Sequence, residues 1–70
     1  MKILKEYKVG DRVIHEQFGE GTVIRVSFEG TFRECYIVRF DNADDELHNG
    51  FGLTEPHHSW VCRARELEEL

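Results

Sequence analysis

The sequence has no uninterrupted apolar stretch of roughly 18 residues, the length a membrane-spanning helix needs. Its opening Met1-Lys2-Ile3-Leu4-Lys5-Glu6 also lacks the apolar heart of a secretory leader, so a cytoplasmic location is expected. Proline occurs only once, at Pro56, and cysteine only at Cys35 and Cys62. Each cysteine sits inside an apolar run, where free thiols pack as small hydrophobes in a reducing compartment, and this argues against a disulfide framework. Cations are missing from the middle of the chain: no Lys or Arg lies between Arg39 and Arg63, whereas Asp41, Asp44, Asp45, Glu46 and Glu55 all do. With a formal net charge of −5, the chain is a poor candidate for the non-specific nucleic-acid binding that cation-rich surfaces drive.

What is present is enough for one small domain spanning residues 1–70, with residues 1–7 expected to be flexible. A chain of this size buries only about 60% of the surface it exposes when unfolded, so its core must be compact. Aromatics and aliphatics are at normal globular levels, and the 33% charged fraction reads as surface.

The strand signals come in order. Val9 to His15 opens on a Gly-Asp turn and runs into β-branched residues, followed by the tight turn Phe18-Gly19-Glu20-Gly21. Thr22 to Phe28 alternates, with Ile24, Val26 and Phe28 on one face and Val23, Arg25 and Ser27 on the other. Glu29-Gly30 reads as a two-residue hairpin turn. Thr31 to Asp41 is the strongest strand signal. It places Phe32, Tyr36, Val38 and Phe40 on an apolar face and Arg33, Cys35, Ile37 and Arg39 on a mixed one. Residues 42–57 lose all period around Leu47, Phe51 and Leu53 and read as a long loop. Ser59 to Arg63 resumes as a fourth strand, and Ala64 to Leu70 reads as a helical turn or a short closing strand. An isolated hairpin cannot bury an apolar face in water. The fold class expected is therefore all-β: a small SH3-like (Tudor-like) barrel of four to five antiparallel strands.

Two stretches carry a family resemblance. Lys8-Val9-Gly10-Asp11-Arg12-Val13-Ile14-His15 followed by Phe18-Gly19-Glu20-Gly21-Thr22-Val23-Ile24 resembles the Tudor-like, SH3-fold modules that end UvrD-type helicases and begin CarD-type transcription factors. In those modules the pattern is VGDxVxH, a spacer, then (F/W)GxGxV. The second half has Tyr36 to Asp41, His48-Asn49-Gly50-Phe51-Gly52 and His58-Ser59-Trp60-Val61, and looks like a group of short bacterial and bacteriophage SH3-like proteins. The resemblance implies a protein-interaction or nucleic-acid-associated module, because the helicase and transcription-factor domains contact RNA polymerase. An isolated module of this kind would work by occupying a partner's surface.

Candidate site residues divide by chemistry. Arg25, Ile37 and Arg39, with Val23, would form an outward patch of arginines among β-branched residues, a composition suited to an interface with another protein. Asp44, Asp45 and Glu46 form an acidic triplet that is either plain solvated loop or a docking surface for a basic partner, and Phe51 lies in the same loop. His48 and His58 read as clamps that hydrogen-bond the loop backbone. The alternative is a zinc site from His48, His57, His58 and Cys62, which lacks the paired ligand spacing of structural zinc. Trp60 reads as core, or else as an exposed aromatic platform. The Lys2, Lys5, Lys8 and Arg12 cluster would serve a nucleic-acid partner, the less favoured reading. The Gly19-Glu20-Gly21 turn has neither the helix nor the Lys-Ser/Thr of a phosphate loop. No Ser-His-Asp or Cys-His spacing supports catalysis, so a non-enzymatic module without a cofactor is expected.

Overall fold

A computed structural model describes residues 6–47 and 57–70. Five strands form one antiparallel sheet: β1 (Arg12–His15), β2 (Gly19–Ser27), β3 (Cys35–Phe40), β4 (Ser59–Cys62) and β5 (Leu67–Glu69). A 3₁₀ turn, Ala64–Glu66, leads directly into β5. The order across the sheet is β4-β3-β2-β1-β5, which returns the last strand to the side of the first and bends the sheet around its apolar face. Among the described residues no helix is long and apolar enough to cross a membrane.

Alternation explains which residues go inside. β1 turns Val13 and His15 inward and Arg12 and Ile14 outward. Tyr36, Val38 and Phe40 of β3 are fully buried, and Cys62, Leu67, Val13 and Val23 complete the core around them. Tyr7 belongs to the stretch expected to be flexible, yet it is buried against this core. Its ring meets Tyr36 edge-on at 5.4 Å, and its hydroxyl donates to the Leu67 carbonyl at 3.2 Å.

β2 departs from a simple period of two. Val23 pairs with Val38, whereas Arg25 pairs with Ile37, so the register slips by one residue and Ile24 is the bulged position. Strict alternation would put Val23 on Arg25's face. The extra residue instead turns Val23 into the core, where it is fully buried, and leaves Arg25 outside. Val23 therefore does not belong to the outward patch that alternation suggests.

The β2–β3 connection is also longer than a two-residue turn. Ser27 is the last paired residue of β2, opposite Cys35, and Phe28 to Glu34 form the tip. Local bonds take over from the ladder: Thr31 Oγ1 donates to the Phe28 carbonyl at 2.7 Å, and Gly30 N–H donates to Glu34 Oε1 at 2.8 Å. Phe32 thus lies beyond the strand rather than on its inward face, and is 91% exposed.

Candidate functional site

The outward face of the sheet is set by three adjacent strands. Arg25 of β2 lies opposite Ile37 of β3, which lies opposite Val61 of β4, so one row crosses the face. The next row is Thr22, Arg39 and Ser59. Arg25 is exposed and Arg39 half-buried, while Ile37 retains only 8% of its exposure and lies beneath the surface between its neighbours. The register thus brings Arg25, Ile37 and Arg39 together, with the aliphatic side chain between the arginines.

The acidic triplet is placed elsewhere, beyond the end of β3. Asp44 is half-buried and shapes the turn: its Oδ1 accepts from Glu46 N–H at 2.9 Å, and its own N–H donates to the His57 carbonyl at 2.9 Å. Glu46 Oε1 accepts from Gln17 Nε2 at 2.8 Å, and Asp45 is exposed. His48 and Phe51 lie outside the described residues.

His58 sits beside the last residue of β3. Its Nδ1 is 3.1 Å from the Phe40 carbonyl, and its own carbonyl accepts from Phe40 N–H at 2.7 Å. His57 is exposed with φ of 67°, in the left-handed region. Cys62 is buried in the core, where desolvation, helped by the nearby Glu66 and Cys35, pushes its thiol up to about 12. Among the described residues no three His, Cys, Asp or Glu side chains converge on a metal position.

Of the basic N-terminal cluster, Lys8 and Arg12 lie within the described residues, and Lys8 is exposed. Arg12 is committed to an ion pair: Nη2 and Nη1 reach the two Asp41 carboxylate oxygens at 2.6 and 2.9 Å, and Nη1 also donates to Thr22 Oγ1 at 2.7 Å. Lys2 and Lys5 lie outside the described residues.

His15, the histidine of the VGDxVxH stretch, is a residue to which the sequence pattern alone assigns no role. It is buried, with its ring 4.9 Å from Phe18 and 5.8 Å from Phe40. Its Nδ1 accepts the backbone N–H groups of Gln17 at 3.0 Å and Phe18 at 3.4 Å, so it closes the β1–β2 turn. The other nitrogen, Nε2, lies 3.5 Å from Glu66 Oε1. Its inward position two residues after Val13 was the available signal. Trp60, the alternative aromatic platform, is half-buried against Phe18 at 5.5 Å and joins the margin of the core.

A short, bent antiparallel sheet with a 3₁₀ turn before its last strand, and charge distributed over its outside, defines a small SH3-like, Tudor-like binding module. The sequence pattern of the PcrA/UvrD tudor domain matches residues 9–44, more than half of the chain, and the protein belongs to that family. The match runs from the turn before β1, through the bulged β2 and all of β3, to Asp44. No curated protein and no solved structure matches the chain.

Proposed function

We propose that this protein is a non-catalytic module that binds another protein through the outward face of β2, β3 and β4, in a bacterial or phage setting. The observation that carries the reading is the Arg25–Ile37–Val61 row with Arg39 beside it. Guanidinium groups flank aliphatic side chains there, on strands whose register is fixed by a bulge. Arginine beside apolar surface is enriched in protein interfaces because one side chain offers both a packing stem and several donors. A rigid sheet also loses little conformational freedom on binding. The acidic Asp44, Asp45 and Glu46 turn would supply contacts to a basic patch on the same partner, and His48 and His58 would hold the 42–57 loop in place for it.

The resemblance to UvrD-type and CarD-type domains makes the transcription machinery the partner to test first. Purified bacterial RNA polymerase immobilised on a sensor should retain the protein, and the R25A/R39A double variant should bind about tenfold or more weakly, since interface arginines are common hot spots. Absence of binding at about 10 μM protein would remove polymerase as the partner, at an affinity of roughly −7 kcal/mol or weaker. Equal binding by the double variant would remove this face.

A further inference from the structure

Among the described residues, the β2–β3 tip is the one place where large aromatic side chains stand in solvent together. Phe32 is 91% exposed and Phe28 61% exposed. Phe28 also has φ of 55°, a left-handed backbone that a bulky residue adopts only at a cost. Nothing in the core gains from either ring, so folding does not account for them.

The tip is held by its own hydrogen bonds. Thr31 Oγ1 donates to the Phe28 carbonyl and accepts from Arg33 N–H at 3.1 Å. Glu34 takes the Gly30 N–H on one oxygen and the Tyr36 hydroxyl on the other. From the end of β4, Arg63 Nη1 reaches the Phe32 carbonyl at 3.4 Å. The rings are therefore presented on an ordered platform, which lowers the entropy lost on binding.

Charge is sorted along β2. Its nine residues span roughly 30 Å at about 3.3 Å per residue. At the Gly19 end stand Glu20, Asp41 and Glu68: Asp41 N–H donates to the Glu20 carbonyl, and Ile14 lies between Glu20 and Glu68 in the sheet. Glu46 joins them through Gln17. At the Ser27 end stand Arg25, Arg33 and Arg63, with Glu29 and the inward-bonded Glu34 as the carboxylates of the tip itself and Glu6 near the Tyr36 hydroxyl. At about 0.1 M salt charge is screened over about 10 Å, so a ligand at the tip meets these arginines and their neighbouring carboxylates rather than the distant acidic end.

Exposed aromatic rings interleaved with arginines suit unpaired bases beside phosphates: bases stack on the rings, and guanidinium groups meet the backbone. An apolar protein pocket would accept the rings but gives no role to the exposed Arg33 beside them. We propose that the 28–33 tip, with Arg63 and with Arg25 at its border with the β2–β3–β4 face, is a contact site for single-stranded nucleic acid.

The test is fluorescence anisotropy with a labelled oligothymidylate of about a dozen nucleotides at about 20 mM salt. The wild-type protein should bind, and binding should weaken as salt rises. Phe28→Gly removes one ring while relieving the left-handed backbone, and Phe32→Ala removes a ring with no core contact, so neither variant should lower the thermal midpoint. Each should weaken binding by about tenfold, the effect of losing one stacked base. No anisotropy change at about 100 μM protein under these conditions would overturn the proposal. So would equal binding by the F28G/F32A double variant. Self-association that vanishes in the double variant, without oligonucleotide binding, would reassign the tip to protein contact. Polymerase binding by the same double variant keeps the two proposals independent.

Discussion

Of the described glycines, Gly21 is the one with no room for a side chain. A Cβ built there would lie 2.7 Å from Val38 Cγ1, 2.8 Å from the Arg39 carbonyl oxygen and 3.0 Å from Phe40 Cδ1. The backbone oxygen cannot swing away as a side chain could, so the strands must separate locally. Gly21→Ala should therefore destabilise the fold by about 1–3 kcal/mol, read as a lower urea midpoint with an unchanged slope. Cys62 gives a second residue-scale expectation. Cys35 is half-buried and Cys62 is buried with its thiol pushed up, so a disulfide-exchange reagent at about pH 8 should label one thiol quickly and the other only at the rate of unfolding. The same shift links stability to alkaline pH. Tyr36 moves the same way, up to about 12 from its ordinary 10.0, through burial first and the hydrogen bond to Glu34 second. Both folded values lie above the unfolded ones, so the stabilisation is whole below the ordinary thiol value of 9.0 and is lost as pH rises toward about 12. Denaturation midpoints should hold steady at neutral pH and fall across that window, with a shallower fall in Cys62→Ala.

At the scale of elements, the bulge decides which side of the sheet each β2 residue serves. Deleting Ile24 would remove the bulge and leave Val23 opposite Val38 and Arg25 opposite Ile37 in simple alternation, each with the facing it already has. The deletion variant should therefore keep a cooperative thermal transition, whereas removing Val23 instead, which empties a core position, should lower the midpoint. The same element marks where sequence reasoning was sufficient and where it was not. β1, the inward set of β3, the position of β4 and the overall class were legible, because apolar alternation in short β-branched runs has few other solutions. The choice left open for residues 64–70 resolves as both alternatives in series, the 3₁₀ turn and then β5, with Leu67 buried and Leu70 exposed. The bulge was not legible, since a period of two in Val23, Arg25 and Ser27 contains nothing that announces an inserted residue. The hairpin tip was misjudged for a related reason. Gly30 does take a positive φ, of 81°, but as part of a longer loop closed by Thr31 and Glu34 side chains rather than as half of a two-residue turn. Among the site residues, the juxtaposition of Arg25, Ile37 and Arg39 followed from strand pairing. The burial of Ile37 and the commitment of Asp44 to its own turn depend on neighbours that a linear pattern does not name.

For the molecule as a whole, the first and third strands are tied across the second by Arg12, which reaches Thr22 on β2 and Asp41 just past β3. The hydrogen bonds from Arg12 are the main reason that the Asp41 carboxyl titrates below its ordinary 3.8, partly opposed by desolvation. A lowered folded value means that this contribution is present above the unfolded value and disappears as pH falls through the folded one. Asp41→Asn should flatten the acid limb of a stability profile and leave the alkaline limb alone. Because the pair is exposed, the difference should shrink in high salt.

The sheet order leaves β4 and β5 as its two margins, and β5 carries Glu68 and Glu69 on a strand of only three residues. A bare margin of backbone donors and acceptors is an invitation to stack against another copy, and short length with like charge discourages it. Two copies meeting along β5 would bring four carboxylates together without a cation on the strand. Concentrated solutions at neutral pH should stay clear, and the E68V/E69V variant should turn turbid on standing while an isolated molecule remains folded. The terminal glutamates thus act at the level of the population, keeping neighbouring molecules apart, rather than within the fold they complete.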